Sequence, residues 1–74
     1  MALHRIKSLV TGTVWKIECP VGHAAGEGDV LMILESMKME IPMEAPAAGT
    51  LKELLVAEGE RVTEGQVLAV WDSA

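Results

Sequence analysis

An all-β fold built from two interlocked, twofold-related halves is predicted by three features of this 74-residue sequence. The first is an ungapped internal repeat: residues 11–35 lie on residues 48–72 at an offset of 37, matching Gly12 with Gly49, Thr13 with Thr50, Gly22 with Gly59, Glu27 with Glu64, Gly28 with Gly65, Val30 with Val67 and Leu31 with Leu68. Val14 with Leu51, Ile17 with Leu54, Ile33 with Val70 and Glu35 with Asp72 keep the character where identity is lost. Self-similarity at a fixed period marks a duplicated structural unit. The second feature is local: Gly and Pro punctuate short apolar segments and no stretch sustains a helical period, which favours strands joined by turns. The third is size. A 37-residue unit cannot bury enough apolar surface by itself, so the two copies should share one core.

Taken in order, strands are expected near residues 3–7, 12–18, 30–35, 39–44, 49–55 and 67–72. Between the second and third, Gly22 and Gly28 bracket Ala25; between the last two, Gly59 and Gly65 bracket Val62, so each copy presents turn, buried residue, turn. Gly26-Glu27-Gly28 is a turn and not a phosphate loop, because no helix and no Lys-Ser or Lys-Thr pair follows, and the equivalent Thr63-Glu64-Gly65 lacks the first glycine. The run Val30-Leu31-Met32-Ile33-Leu34 is apolar throughout, so alternation alone does not assign its faces. The repeat pairs Leu31 with Leu68 and Ile33 with Val70, and these four, with Val14 and Leu51, are expected to face the core. Ile17 and Leu54 break that parity by one residue, which predicts a bulge or a strand end beside them.

The core must be aliphatic, since Phe and Tyr are absent and Trp15 and Trp71 are the only aromatic rings. Six basic against eleven acidic residues give a net charge of −5, which disfavours a nucleic-acid backbone or an anionic membrane as partner. The apolar run at 30–34 is too short to span a bilayer, and residues 1–7 lack the apolar stretch of a secretory signal. Cys19 is alone, so no internal disulfide forms, as suits a reducing compartment. A soluble, cytoplasmic chain is expected. Cys19 and His23 have a Cys-x3-His spacing, but only His4 remains to join them, and a closed zinc site wants four ligands. No metal site is expected, and no catalytic constellation: nothing pairs Cys19 with an oxyanion pocket, and the scattered carboxylates do not form an acid/base pair.

A closed twofold exchanges residue 1 with residue 38 and residue 37 with residue 74. The bonded pair Met37-Lys38 then has Ala74 and Met1 as its mate, which places Lys38 and the chain termini at opposite poles. Lys38 is flanked by Met37 and Met39 within Glu35-Ser36-Met37-Lys38-Met39-Glu40. Exposed methionines beside a lone lysine suggest local packing or contact with a partner.

That hexapeptide, set between two strands and preceded by the Gly22-x5-Gly28 turns, resembles the attachment site of the biotinyl/lipoyl family, in particular small stand-alone biotin carboxyl carrier (biotin/lipoyl attachment) proteins. The likeness runs from about Ile6 to Trp71. It implies a barrel-sandwich hybrid, a flattened β-barrel of two antiparallel sheets, formed by residues 1–74 as one biotinyl domain, with the modified lysine on a β-hairpin. It further implies that a biotin protein ligase joins biotin, from biotinyl-adenylate, to Lys38, with Met37 and Met39 as flanking recognition residues. Biotin carboxylase would then load a carboxyl group and a carboxyltransferase would take it. The domain would be a shuttle with no catalytic residue, monomeric in isolation. The amine has to lose a proton before it attacks, so the ligase must assist, while Glu35 and Glu40 nearby would hold the proton on.

Lipoyl sites typically read Asp-Lys-Ala, and Met37-Lys38-Met39 departs from that pattern toward biotin. A lipoyl carrier, or an unmodified interaction module of the same fold, stands as the alternative. Ser36 occupies a place where Ala is common, and Leu9 stands where many relatives have the proline retained at Pro46. The ungapped repeat leaves no room for the protruding thumb of some biotin carriers, and a start at Met1 leaves none for their long linker.

Overall fold

A computed structural model describes residues 2–73. Eight strands follow one another: β1 Ala2–Lys7, β2 Gly12–Ile17, β3 Ala24–Ala25, β4 Val30–Ser36, β5 Met39–Glu44, β6 Gly49–Leu54, β7 Arg61–Val62 and β8 Val67–Ser73. All six expected strands form. β3 and β7 are additional, and they occupy the places read as turn, buried residue, turn. Each strand of the first half has its counterpart 37 residues later with identical bounds. No helix among the described residues is long and apolar enough to cross a membrane.

The strands build two antiparallel four-stranded sheets, ordered β1-β8-β6-β3 and β5-β4-β2-β7. In each sheet two central strands of one copy are flanked by two outer strands, both drawn from the other half of the chain, so the copies interleave. Burial repeats as well: β1 and β5 bury only their fifth residues, Ile6 and Met43, and β2 and β6 only their third, Val14 and Leu51. Gly22, Gly28, Gly59 and Gly65 all take positive φ, between 86° and 92°, which makes them the turn glycines the repeat required.

One expectation about the core is overturned. Leu31, Leu68, Val14 and Leu51 are buried as expected, but Ile33 and Val70 lie half-buried, and Met32, Leu34, Ala69 and Trp71 fill the core instead. The cause is a second pair of register shifts. Against β5, the register passes from Val30 to Met32 and skips Leu31; against β1, the partner of β8 passes from Val67 to Ala69 and skips Leu68. An extra residue on one strand resets which face follows. Two consecutive side chains, Leu31 and Met32, therefore point inward, and the alternation downstream is inverted. The bulge expected near Ile17 and Leu54 is present, between Val14 and Lys16 in β2 and between Leu51 and Glu53 in β6. Trp71, fully buried, satisfies its indole by donating Nε1–H to the Ala47 carbonyl oxygen at 2.8 Å.

Topology sets the poles. The described residues extend over 35 × 17 × 16 Å. From the β4–β5 hairpin, β5 runs six residues, roughly 20 Å at strand rise, and the chain then delivers Gly49 beside Ser73, which also pairs with Ala2. The hairpin and the Ala2–Ser73 pair thus cap opposite ends. Met1 and Ala74, the terminal mates of Lys38 and Met37, lie outside the described residues.

Candidate functional site

The β4–β5 hairpin closes with Ser36 opposite Met39, leaving Met37 and Lys38 as a two-residue loop. Both take positive φ, 52° and 65°, and they are the only non-glycine residues to do so among those described. Left-handed conformation at both loop positions is the I′ turn, whose twist matches the strands it joins and which normally selects Asn-Gly. Here two residues with full side chains occupy it, at a conformational cost of about 1–2 kcal/mol each. The turn presents both side chains outward: Met37 is 91% exposed and Met39 61%, and Lys38 is exposed beside them.

Beneath the turn the backbone is fixed. Leu34, fully buried on β4, anchors the hairpin to the core, and Ser36 donates its Oγ hydrogen to the Thr11 carbonyl oxygen at 3.0 Å. Gly12 lets β2 close on β4, because a methyl group there would run into the carbonyl oxygen of Glu35. Glu35 and Glu40 face each other across the hairpin, both exposed. Neither comes within ion-pair distance of Lys38; among the described residues the one such pair is Lys16–Glu18 at 3.4 Å. The role suggested for these two carboxylates, holding a proton on the amine, therefore has no direct contact behind it.

An open groove of about 360 Å³ runs from Lys38 across β2, lined by Thr11, Thr13, Glu35, Ser36 and Arg61. The row Glu40–Glu35–Thr13–Arg61 crosses three strand pairings of one sheet. Met37 joins Lys38 at the groove, while Met39 stands outside it. Sequence reading did not single out Thr11, Thr13 or Arg61. The available signal was the repeat, in which Arg61 falls on Ala24 and Thr11 on Ala48: at each of these two places only the member at the lysine end is polar, Thr11 from the first copy and Arg61 from the second.

Elsewhere, Cys19 is buried, and its Sγ lies toward the carbonyl oxygens of Pro20 and His23 at 3.7 and 3.9 Å. The thiol turns to its own loop, and burial raises its pKa. No group of three or more potential metal ligands gathers among the described residues.

Known proteins place this geometry in a lineage. The sequence pattern of the biotin/lipoyl family, described as "Biotin-requiring enzyme", matches residues 4–71. The chain is 44% identical over 59 residues to the biotin/lipoyl attachment protein of Bacillus subtilis, covering 80% of this chain and 81% of that one. It is 37% identical over 65 residues to the biotinylated protein TB7.3 homolog of Mycobacterium leprae, covering 88% and 92%. In structure it superposes on part of a single-chain, multi-domain long-chain acyl-CoA carboxylase with a TM-score of 0.91 at 30% identity, over 97% of this chain and 7% of that chain. The turn bearing Lys38, the duplicated sandwich beneath it and the match over 4–71 agree, and the chain belongs to the biotin/lipoyl attachment family.

Proposed function

We propose that this chain is a biotin carboxyl carrier in which biotin is amide-linked to Nζ of Lys38, and that residues 1–74 act as one carrier unit. The observation that carries the reading is the strained two-residue turn, which holds an exposed lysine between exposed methionines at the end of the sandwich opposite Ala2 and Ser73. The residues fit the group: the amine stands clear of ion pairs among the described residues, and the open groove beside it leaves room for a ring system at the end of a long arm.

Each residue of the site has a share in the work. Lys38 supplies a primary amine on a long, flexible stem, which only lysine offers. The I′ turn and the Ser36–Thr11 bond fix its backbone, so less orientational freedom is lost when a ligase docks. Met37 and Met39 offer soft apolar contact to the ligase on either side of the amine. In the ligase the proton leaves Nζ, the nitrogen attacks the acyl carbon of biotinyl-adenylate, the amide bond forms and AMP departs. Held on Lys38, biotin would supply a ring able to take a carboxyl group at a biotin carboxylase and release it at a carboxyltransferase. The domain performs no catalysis itself; its contribution is a rigid body from which the arm projects. As a monomer it can present the same hairpin in turn to ligase, carboxylase and transferase, all in the cytoplasm.

The test is co-expression with a biotin protein ligase followed by intact-mass measurement. One biotinyl group is expected, and none on Lys38→Arg. Lipoyl addition, or an unmodified chain beside an active ligase, would sink the reading.

A further inference from the structure

The groove beside Lys38 ends at Arg61, a residue that the fold itself does not require. Its counterpart in the other half of the repeat is Ala24, which pairs with Thr50 as Arg61 pairs with Thr13. One end of the sandwich is thus built with alanine at this place and the lysine end with arginine. The guanidinium makes no ion pair among the described residues, although Glu35 lines the same groove. Arg61 stands two strand spacings from β4, roughly 10 Å across the sheet, within the span of a lysine side chain lengthened by biotin's own methylene chain.

Resting on the biotin reading of Lys38, we propose that this groove is a docking site for the charged head of the cofactor arm. The arm folds back over Thr13, and the carboxylate that the ring carries in transit accepts hydrogen bonds from the Arg61 guanidinium. A planar guanidinium matches a carboxylate with two parallel N–H donors. Glu35 repels the same carboxylate from the wall nearest the turn, which directs it toward Arg61.

Such a contact is weak in the open, and the tether makes weakness sufficient. A short flexible link gives an effective concentration of about millimolar, so a site of millimolar intrinsic affinity is occupied about half the time. A carrier needs that balance. The arm is restrained while it travels, yet released readily to an active site that binds its ring more tightly.

The experiment uses ¹⁵N-labelled chain, shown by mass to hold one biotin, before and after carboxylation by a biotin carboxylase with ATP and bicarbonate. Carboxylation is expected to shift the Arg61 Nε–Hε and Thr13 amide resonances. The shifts should shrink in about 1 M salt, where screening acts over roughly 3 Å. In the variants the Thr13 amide is the probe: its shift should vanish in Arg61→Ala and survive in part in Arg61→Lys. Arg61→Ala is expected to fold, since Ala24 serves at the equivalent place; Arg61→Gln is the neutral substitute if it does not. Shifts confined to residues 36–39, or equal in the neutral variant, would overturn the groove proposal alone. A chain that takes no biotin would overturn the carrier reading with it.

Discussion

Met37 and Lys38 hold φ values of 52° and 65° where glycine or asparagine would sit at ease. Relieving that strain at one residue should stabilise the fold. Met37→Gly is expected to add about 1 kcal/mol, raising Tm by about 4–8 °C, while slowing biotinylation because the turn loses one of its apolar flanks. Calorimetry and a timed labelling assay read the two effects separately. If labelling is as fast as in the parent, Met37 is a spectator. Replacing both Met37 and Met39 by leucine conserves volume, so folding should survive while labelling slows; unchanged labelling would leave them no recognition role. At Cys19 the folded thiol has a pKa above the ordinary 9.0, because burial disfavours the thiolate. Well below pH 9.0 the thiol is neutral in both states and its contribution to stability is fully present. As pH rises toward the higher folded pKa, the unfolded state ionises first and that contribution is lost. Tm should therefore decline above about pH 9. Cys19→Val, which copies the Val56 found at the equivalent place in the second half, should flatten the decline. An unchanged alkaline limb in that variant would assign it to other groups.

At the scale of elements, the six longer strands could be read from punctuation and the repeat, because each carries its own apolar pattern between turn residues. β3 and β7 could not. Two residues hold too little local information, and Ala24–Ala25 and Arg61–Val62 become strands only by pairing with β6 and β2 across the copies. The inward face of β4 and β8 was half legible for a related reason. Which residues of an unbroken apolar run point inward depends on where the partner strand slips, and the shifts at Leu31 and Leu68 are properties of a pairing. The contact of β2 with β4 gives a sharp prediction at this scale. Gly12→Ala drives a methyl group into the Glu35 carbonyl, and the strand that leads to Lys38 must move. A loss of about 1–3 kcal/mol in denaturant unfolding is expected. Biotinylation should slow with it, because the turn is displaced.

For the molecule as a whole, interleaving is the controlling fact. Each sheet draws strands from both copies, so neither half possesses a complete sheet. Peptides 1–37 and 38–74 should each be unfolded alone and should form β structure when mixed, as followed by circular dichroism. Independent folding of either half would contradict the shared core. The duplication, the strand count short of the two smallest, the place of Lys38 between the copies and its kinship were determined by sequence alone, since each rests on residue identity and spacing. The tertiary structure decided what spacing cannot: which face of β4 and β8 is buried, that Lys38 sits in a strained turn free of its neighbouring carboxylates, and that Arg61 shares its groove. These depend on strand register, and register arises from many cross-strand contacts at once, each too weak to be read from the residues that make it.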